Sequence, residues 1–139
     1  MNLITPLAAV TLALSLLTAA GCKSDPGVKS GWVAGEDTSQ VICSDPDLRS
    51  DLRTGRYVVT PGSADTPLQV TVPVRSTDDD PVAIQYRYTF FKPNGVPINH
   101  EAAWQTAVLE PDVQEFLSGT AVDYFASDWN LEIRPDRSR

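Results

Sequence analysis

The 139-residue sequence is poor in the residues that most often carry chemistry: it has one histidine, His100, and two cysteines, Cys22 and Cys43. Two thiols cannot build a disulfide framework, so the fold has to rest on an apolar core. A lone histidine leaves a His-rich metal site without its second ligand, and no nucleophile stands at motif spacing from a base. Gly55 and Gly62 are too isolated for a phosphate-cradling loop, and Thr60-Pro61-Gly62-Ser63 is not a nucleophile elbow. Positive charge is also scarce, with 11 basic against 18 acidic residues and a net charge of -7. Such a chain is repelled by the phosphates of nucleic acid and by anionic headgroups, and nucleic acid is excluded as a partner. The reading that follows is of a protein that is not an enzyme, with no catalytic residue, no metal and no cofactor assigned.

Charge is absent altogether from residues 1–22, where Leu, Ala, Ile and Val dominate between Leu3 and Leu17. The stretch ends Leu17-Thr18-Ala19-Ala20-Gly21-Cys22. Small residues let an extended backbone enter a peptidase groove, and a cysteine directly after them resembles the bacterial lipobox, in which the thiol is acylated before cleavage. Ala19 stands where Leu is commoner, and no Lys or Arg precedes Leu7. A membrane-spanning anchor needs about 20 apolar residues; here Thr5, Pro6, Thr11, Ser15 and Thr18 dilute the run. The expectation is a signal peptide over 1–21 and a lipid on Cys22 that holds the chain at the periplasmic face of a bacterial membrane. Lys23 occupies the place where Asp commonly signals inner-membrane retention, which favours the outer membrane.

Removing residues 1–21 leaves 118, enough for one domain. Residues 22–39, rich in Gly, Ser, Asp and Lys, predict a flexible tether reaching roughly 20–25 Å as a coil. Within it Trp32 has two open placements, on the domain or at the membrane interface. Val41-Ile42-Cys43 predicts a buried thiol; a Cys22–Cys43 disulfide becomes available only without lipidation.

The domain, 40–135, shows strand periodicity. Leu68, Val70, Val72 and Val74 alternate with Gln69, Thr71, Pro73 and Arg75, a half-buried strand in which Pro73 favours an edge or a bulge. Val82, Ile84, Tyr86, Tyr88 and Phe90 form the inner face of a second strand and the largest block of the core. Lys92-Pro93-Asn94-Gly95 is a turn signal leading into Val96-Pro97-Ile98, hence a hairpin. Between His100 and Thr120 the pattern fits two structures. Ala103, Trp104, Ala107 and Val108 make a helical stripe, while Ala102, Trp104, Thr106 and Val108 make a strand face; Pro111 ends either one. Trp129, Leu131 and Ile133 alternate in a closing strand, and 136–139 form a polar tail. Short strands, polar turns and no strong helix predict an all-β sandwich of two small sheets.

From Asp80 to Arg134 the chain resembles the YcfL-like family of small periplasmic lipoproteins. The resemblance rests on Asp80-Pro81-Val82-Ala83-Ile84-Gln85-Tyr86-Arg87-Tyr88, the pair Phe90-Phe91 four residues before Gly95, Leu109-Glu110-Pro111, Ser118-Gly119-Thr120-Ala121 and the last alternating strand. It extends more loosely over Val41 to Ser76. The resemblance implies a single immunoglobulin-like antiparallel β-sandwich and extended structure from Trp104 to Leu109 and from Phe116 to Ser118. It brings no catalytic residues. Some members sit genetically near lipoproteins that activate peptidoglycan synthases, which points toward envelope assembly.

The remaining polar clusters have ordinary readings. Asp78-Asp79-Asp80 is a solvated turn rather than a calcium loop, because Pro81 ends it at once and Ca²⁺ needs six to eight ligands. Asp112 and Glu115 are near neighbours by chance in an acidic chain. The outer face of the second long strand carries Gln85, Arg87, Thr89 and Phe91; Arg87 and Phe91 form a candidate partner surface, an aromatic beside a guanidinium being common at hot spots. Two functions follow: an accessory module that binds an envelope protein, or a binder of a small ligand or peptidoglycan fragment, with or without hydrolytic activity, in a pocket between the sheets or near His100 and Trp104.

Overall fold

The computed structural model describes residues 32, 34–98 and 102–137. The signal peptide, Cys22 and His100 lie outside the described residues. Among the described residues, eight strands and one short helix follow in the order β1 (Val41–Cys43), α1 (Pro46–Asp51), β2 (Leu52–Thr54), β3 (Val58–Thr60), β4 (Gln69–Ser76), β5 (Val82–Phe91), β6 (Gln105–Leu109), β7 (Glu115–Thr120) and β8 (Asp128–Pro135). They make two sheets, β1-β8-β5-β6 and a second in which β4 is central between β7 and the pair β2, β3. The protein is an all-β sandwich, consistent with the immunoglobulin-like arrangement. Among the described residues every strand pair is antiparallel except one: β1 runs parallel to β8, Val41 beside Leu131.

The alternating faces sit as their periodicity requires. Val70, Val72 and Val74 of β4, Ile84, Tyr88 and Phe90 of β5, and Trp129, Leu131 and Ile133 of β8 fill the space between the sheets. Aromatic rings tie these strands together: Tyr88 stacks on Phe90 at 5.8 Å and meets Trp129 at 5.9 Å, and Tyr57 meets Trp129 edge-on at 5.0 Å. The Tyr88 hydroxyl crosses the core to donate to the Leu117 carbonyl on the opposite sheet at 2.7 Å. Burial pushes this phenol well above its usual pKa.

Pro73 departs from its expected place. β4 is the central strand, paired on both sides, and Pro73 lies opposite Phe116 of β7. The residue's C=O accepts from Gly55 N–H at 2.8 Å, so its missing N–H also points toward the β2/β3 side. There the neighbouring edge is split between β2, which pairs with 74–76, and β3, which pairs with 69–71. The absent donor therefore falls at a break in the ladder and costs no sheet bond.

In the hairpin after β5, Gly95 N–H donates to Lys92 C=O at 2.8 Å and Gly95 adopts φ 78°, a conformation glycine supplies without strain. Its return is a single bridge, Phe91 to Pro97. Residues 105–109 and 115–120 are strands, so the helical stripe gives way to pairing with β5 and β4. Helix α1 has a local signal: Asp45 accepts from the N–H groups of Asp47 and Leu48, and Pro46 opens the first turn. Those hydrogen bonds, from Leu48 above all, together with the Arg137 guanidinium hold the Asp45 carboxyl below its ordinary pKa.

Trp32 rests on the domain, its ring 4.9 Å from the Arg75 guanidinium carbon, and Ala34 bridges Gly55. This cover explains why Arg75, on the outward face of β4, is buried. Cys43 packs in the core, and burial raises its thiol pKa. With the thiolate disfavoured, Cys43 is expected to resist thiol reagents at pH 8 in the folded protein and to react fully in denaturant. Equal labelling rates in the two states would contradict that placement.

Candidate functional site

Because the inner positions of β5 and β8 are consumed by the core, their alternate positions share one outward face. The register fixes which outward side chains meet: Arg87 lies directly across from Glu132, and Gln85 across from Arg134. On the other side of β5, Gln85 faces Thr106 and Tyr86 faces Gln105 of β6, which brings Trp104 level with Arg87.

The indole of Trp104 is the centre of this face. The Arg134 guanidinium carbon lies 3.8 Å from the ring centroid and that of Arg87 lies 4.5 Å from it. Both are within the range at which a cation is attracted to the ring quadrupole, at about 0.5–1 kcal/mol each for an exposed pair. Each guanidinium is also fixed from the side. Arg87 Nε donates to Glu132 Oε2. Arg134 donates through Nε and Nη2 to Gln85 Oε1 at 2.9 and 2.7 Å, and Gln85 Nε2 in turn donates to Asp136 Oδ1 at 3.1 Å. The result is a continuous network from Glu132 through Arg87, Trp104 and Arg134 to Gln85 and Asp136. Its charges and ring are half-buried or exposed, and their geometry is fixed by contacts within the domain.

Phe91 shares the outward face with Arg87 but not its surroundings. It lies four residues along β5, roughly 13 Å away, half-buried beside the hairpin return at Pro97, and its carbonyl accepts from Ser127 N–H. The partner pair expected from sequence is thus split, and Trp104 supplies the aromatic that Arg87 meets. Trp104 had a signal, its strand face with Thr106 and Val108, but which residue on β5 it would meet depends on register. Arg134 and Glu132 had the same kind of signal in the outward positions of β8.

Next to this network, beyond Gln85 and Arg134, a groove of about 680 Å³ runs toward Ser44, Asp45 and Arg137. Arg137 Nη2 donates to Asp45 Oδ2 at 3.0 Å across it. Among the described residues no group of three or more His, Cys, Asp or Glu side chains converges. Asp78, Asp79 and Asp80 are exposed, and Asp78 uses its carboxylate to accept from Asp80 N–H.

The family described as "Protein of unknown function (DUF1425)" matches residues 39–135, the whole of the sandwich. The chain belongs to the DUF1425 family. YcfL-like proteins are members of it. The fold is shared with a Campylobacter jejuni protein, cj0090, at 19% identity and a TM-score of 0.55, over 70% of this chain and 98% of that one. It is shared also with a DUF1425 family member from Shewanella sp. pv-4, at 16% identity and a TM-score of 0.54, over 63% of this chain and 81% of that one. No curated protein sequence matches the chain.

Proposed function

We propose that this DUF1425 protein is a non-catalytic accessory lipoprotein of the bacterial envelope. Lipid on Cys22 holds it at the periplasmic face of a membrane, the outer in preference to the inner. It docks on an envelope protein through the outer face of β5, β6 and β8. The observation that carries this reading is Trp104 held by two oriented guanidiniums on an outward strand face. Tryptophan and arginine are the residues most enriched at binding hot spots, and here their ordering cost is met within the free domain. A photo-crosslinker at Thr106, beside the network, is expected to capture a reproducible envelope partner in intact cells. Trp104→Ala or Arg87→Ala should cut that capture about thirtyfold, the loss of about 2 kcal/mol that marks a hot spot, with the thermal midpoint little changed. Unchanged crosslinks in both variants would retire this surface.

A second reading has one observation in its favour, the polar groove at Ser44, Gln85, Arg134 and Arg137. There a small anionic ligand such as a peptidoglycan fragment would meet two guanidiniums. Calorimetric titration with muropeptides distinguishes the two: the docking reading expects no saturable heat, and the ligand reading expects heat that Arg134→Ala abolishes.

A further inference from the structure

The segment between β7 and β8 has a feature that the docking face does not use. Val122, Tyr124 and Phe125 are 72%, 51% and 75% exposed, whereas Ala121 and Ala126 on either side are 3% and 7% exposed. Both ends of the segment are pinned: Ala121 N–H donates to Leu68 C=O at 2.9 Å and Ser127 N–H to Phe91 C=O at 2.9 Å. Asp123 shapes the tip, accepting from Phe125 N–H through Oδ1 at 2.9 Å and from Ala126 N–H through its carbonyl at 3.3 Å. A held backbone thus presents three large side chains to solvent on one short loop. Exposed Val96, in the neighbouring hairpin, stands at the same end of the sandwich.

We infer that the 121–126 loop is the membrane-facing tip of the domain, seated among zwitterionic phospholipid headgroups; this rests on the proposed N-terminal anchor. Chain length permits it. Ten residue steps separate Cys22 from Trp32, about 34 Å when extended. Trp32 is held against Arg75, roughly 24 Å along β4 from Leu68 at the loop end. The tether therefore reaches. An exposed apolar tip suits a soft interface, where the Tyr124 ring places an apolar body inward and its hydroxyl in water, while Val122 and Phe125 bury apolar surface. Lys92, 3.8 Å from Asp123, stands at the rim, where an ammonium on a flexible stem reaches phosphate. The net charge of -7 keeps the rest of the domain off anionic lipid. With the tip seated, the Arg87–Trp104 network stands roughly 13 Å above it along β5 and faces sideways, toward neighbours on the same membrane.

The test is hydrogen exchange on protein extracted from membranes and reconstituted into phosphatidylcholine vesicles. Amides from Val122 to Ala126 should exchange several-fold more slowly than in detergent, while Asp78–Asp80 at the far end are unchanged. Added anionic lipid should weaken the protection, and the combined V122S, Y124S and F125S variant should lose it with β-sheet signals intact. Absence of protection on vesicles overturns the inference, as does protection found only when envelope proteins are present, which would assign the tip to a protein partner. Intact mass of the same sample reports separately on the anchor, since an acylated Cys22 chain and an uncleaved one both reconstitute through their N-termini.

Discussion

Replacing Gly119 by alanine is expected to destabilise the domain by about 1–3 kcal/mol, the cost of forcing extra volume into a filled core. At 4–8 °C per kcal/mol for a domain of this size, the thermal midpoint should fall by roughly 5–20 °C. The reason lies in space rather than backbone conformation. Gly119 sits on the inward face of β7 with Leu117, and a methyl there would stand 2.4 Å from Cδ2 of Tyr88. The ring cannot yield easily. It is stacked on Phe90, packed against Trp129 and tied through its hydroxyl to Leu117 on the same strand as the glycine. Tyr88 and Gly119 are thus one knob and its hole, contributed by opposite sheets. A double-mutant cycle separates this from a general strand effect: in a Tyr88→Ala background the Gly119→Ala penalty should vanish. A penalty that persists without the ring would refute the knob-and-hole account. The accessibility of Cys43 to thiol reagents offers a second readout of the same unfolding.

Replacing Cys22 by serine, with residues 1–21 exchanged for an ordinary secretory signal, is expected to move the protein almost wholly from the membrane fraction to the soluble periplasm. An acyl chain contributes about 0.8 kcal/mol per buried CH₂, and stable anchoring combines more than one such signal. The contact that would remain, the proposed three-residue tip, is far weaker than the proposed anchor. In the unaltered protein, intact mass should show the loss of residues 1–21 and the gain of acyl chains. A membrane-extracted form that still begins at Met1 would sink the lipoprotein reading and leave the sandwich tethered by its apolar segment.

The long strands were legible because their evidence is local. β4 and β8 alternate strictly over Leu68–Arg75 and Trp129–Arg134, β5 keeps its inner face apolar over Val82–Phe91, and period two has one structural meaning when an inner face must be buried. β1, β2 and β3 are three residues each, too short for a period to show. α1 leaves only a weak trace: Asp45-Pro46 is a helix-start signal, but six residues hold little apolar pattern behind it. Residues 102–109 satisfy helix and strand templates equally, and pairing with β5 settles 105–109 as strand.

The same division runs through the candidate site. The sequence by itself determined that Arg87 faces outward, that Tyr88 faces inward and that the domain is acidic, since side-chain direction along a strand follows from backbone geometry alone. Which outward residue meets which is a matter of register between strands distant in sequence, and that only the tertiary structure decided. It set Trp104 against Arg87 and Arg134, moved Phe91 beside the hairpin, and placed Pro73 where the neighbouring edge breaks. Register is chosen by the fit of the whole core, because a slip of one residue would turn every inner side chain out to water. A local pattern says which face a residue is on, and only the assembled sheets say what lies beside it.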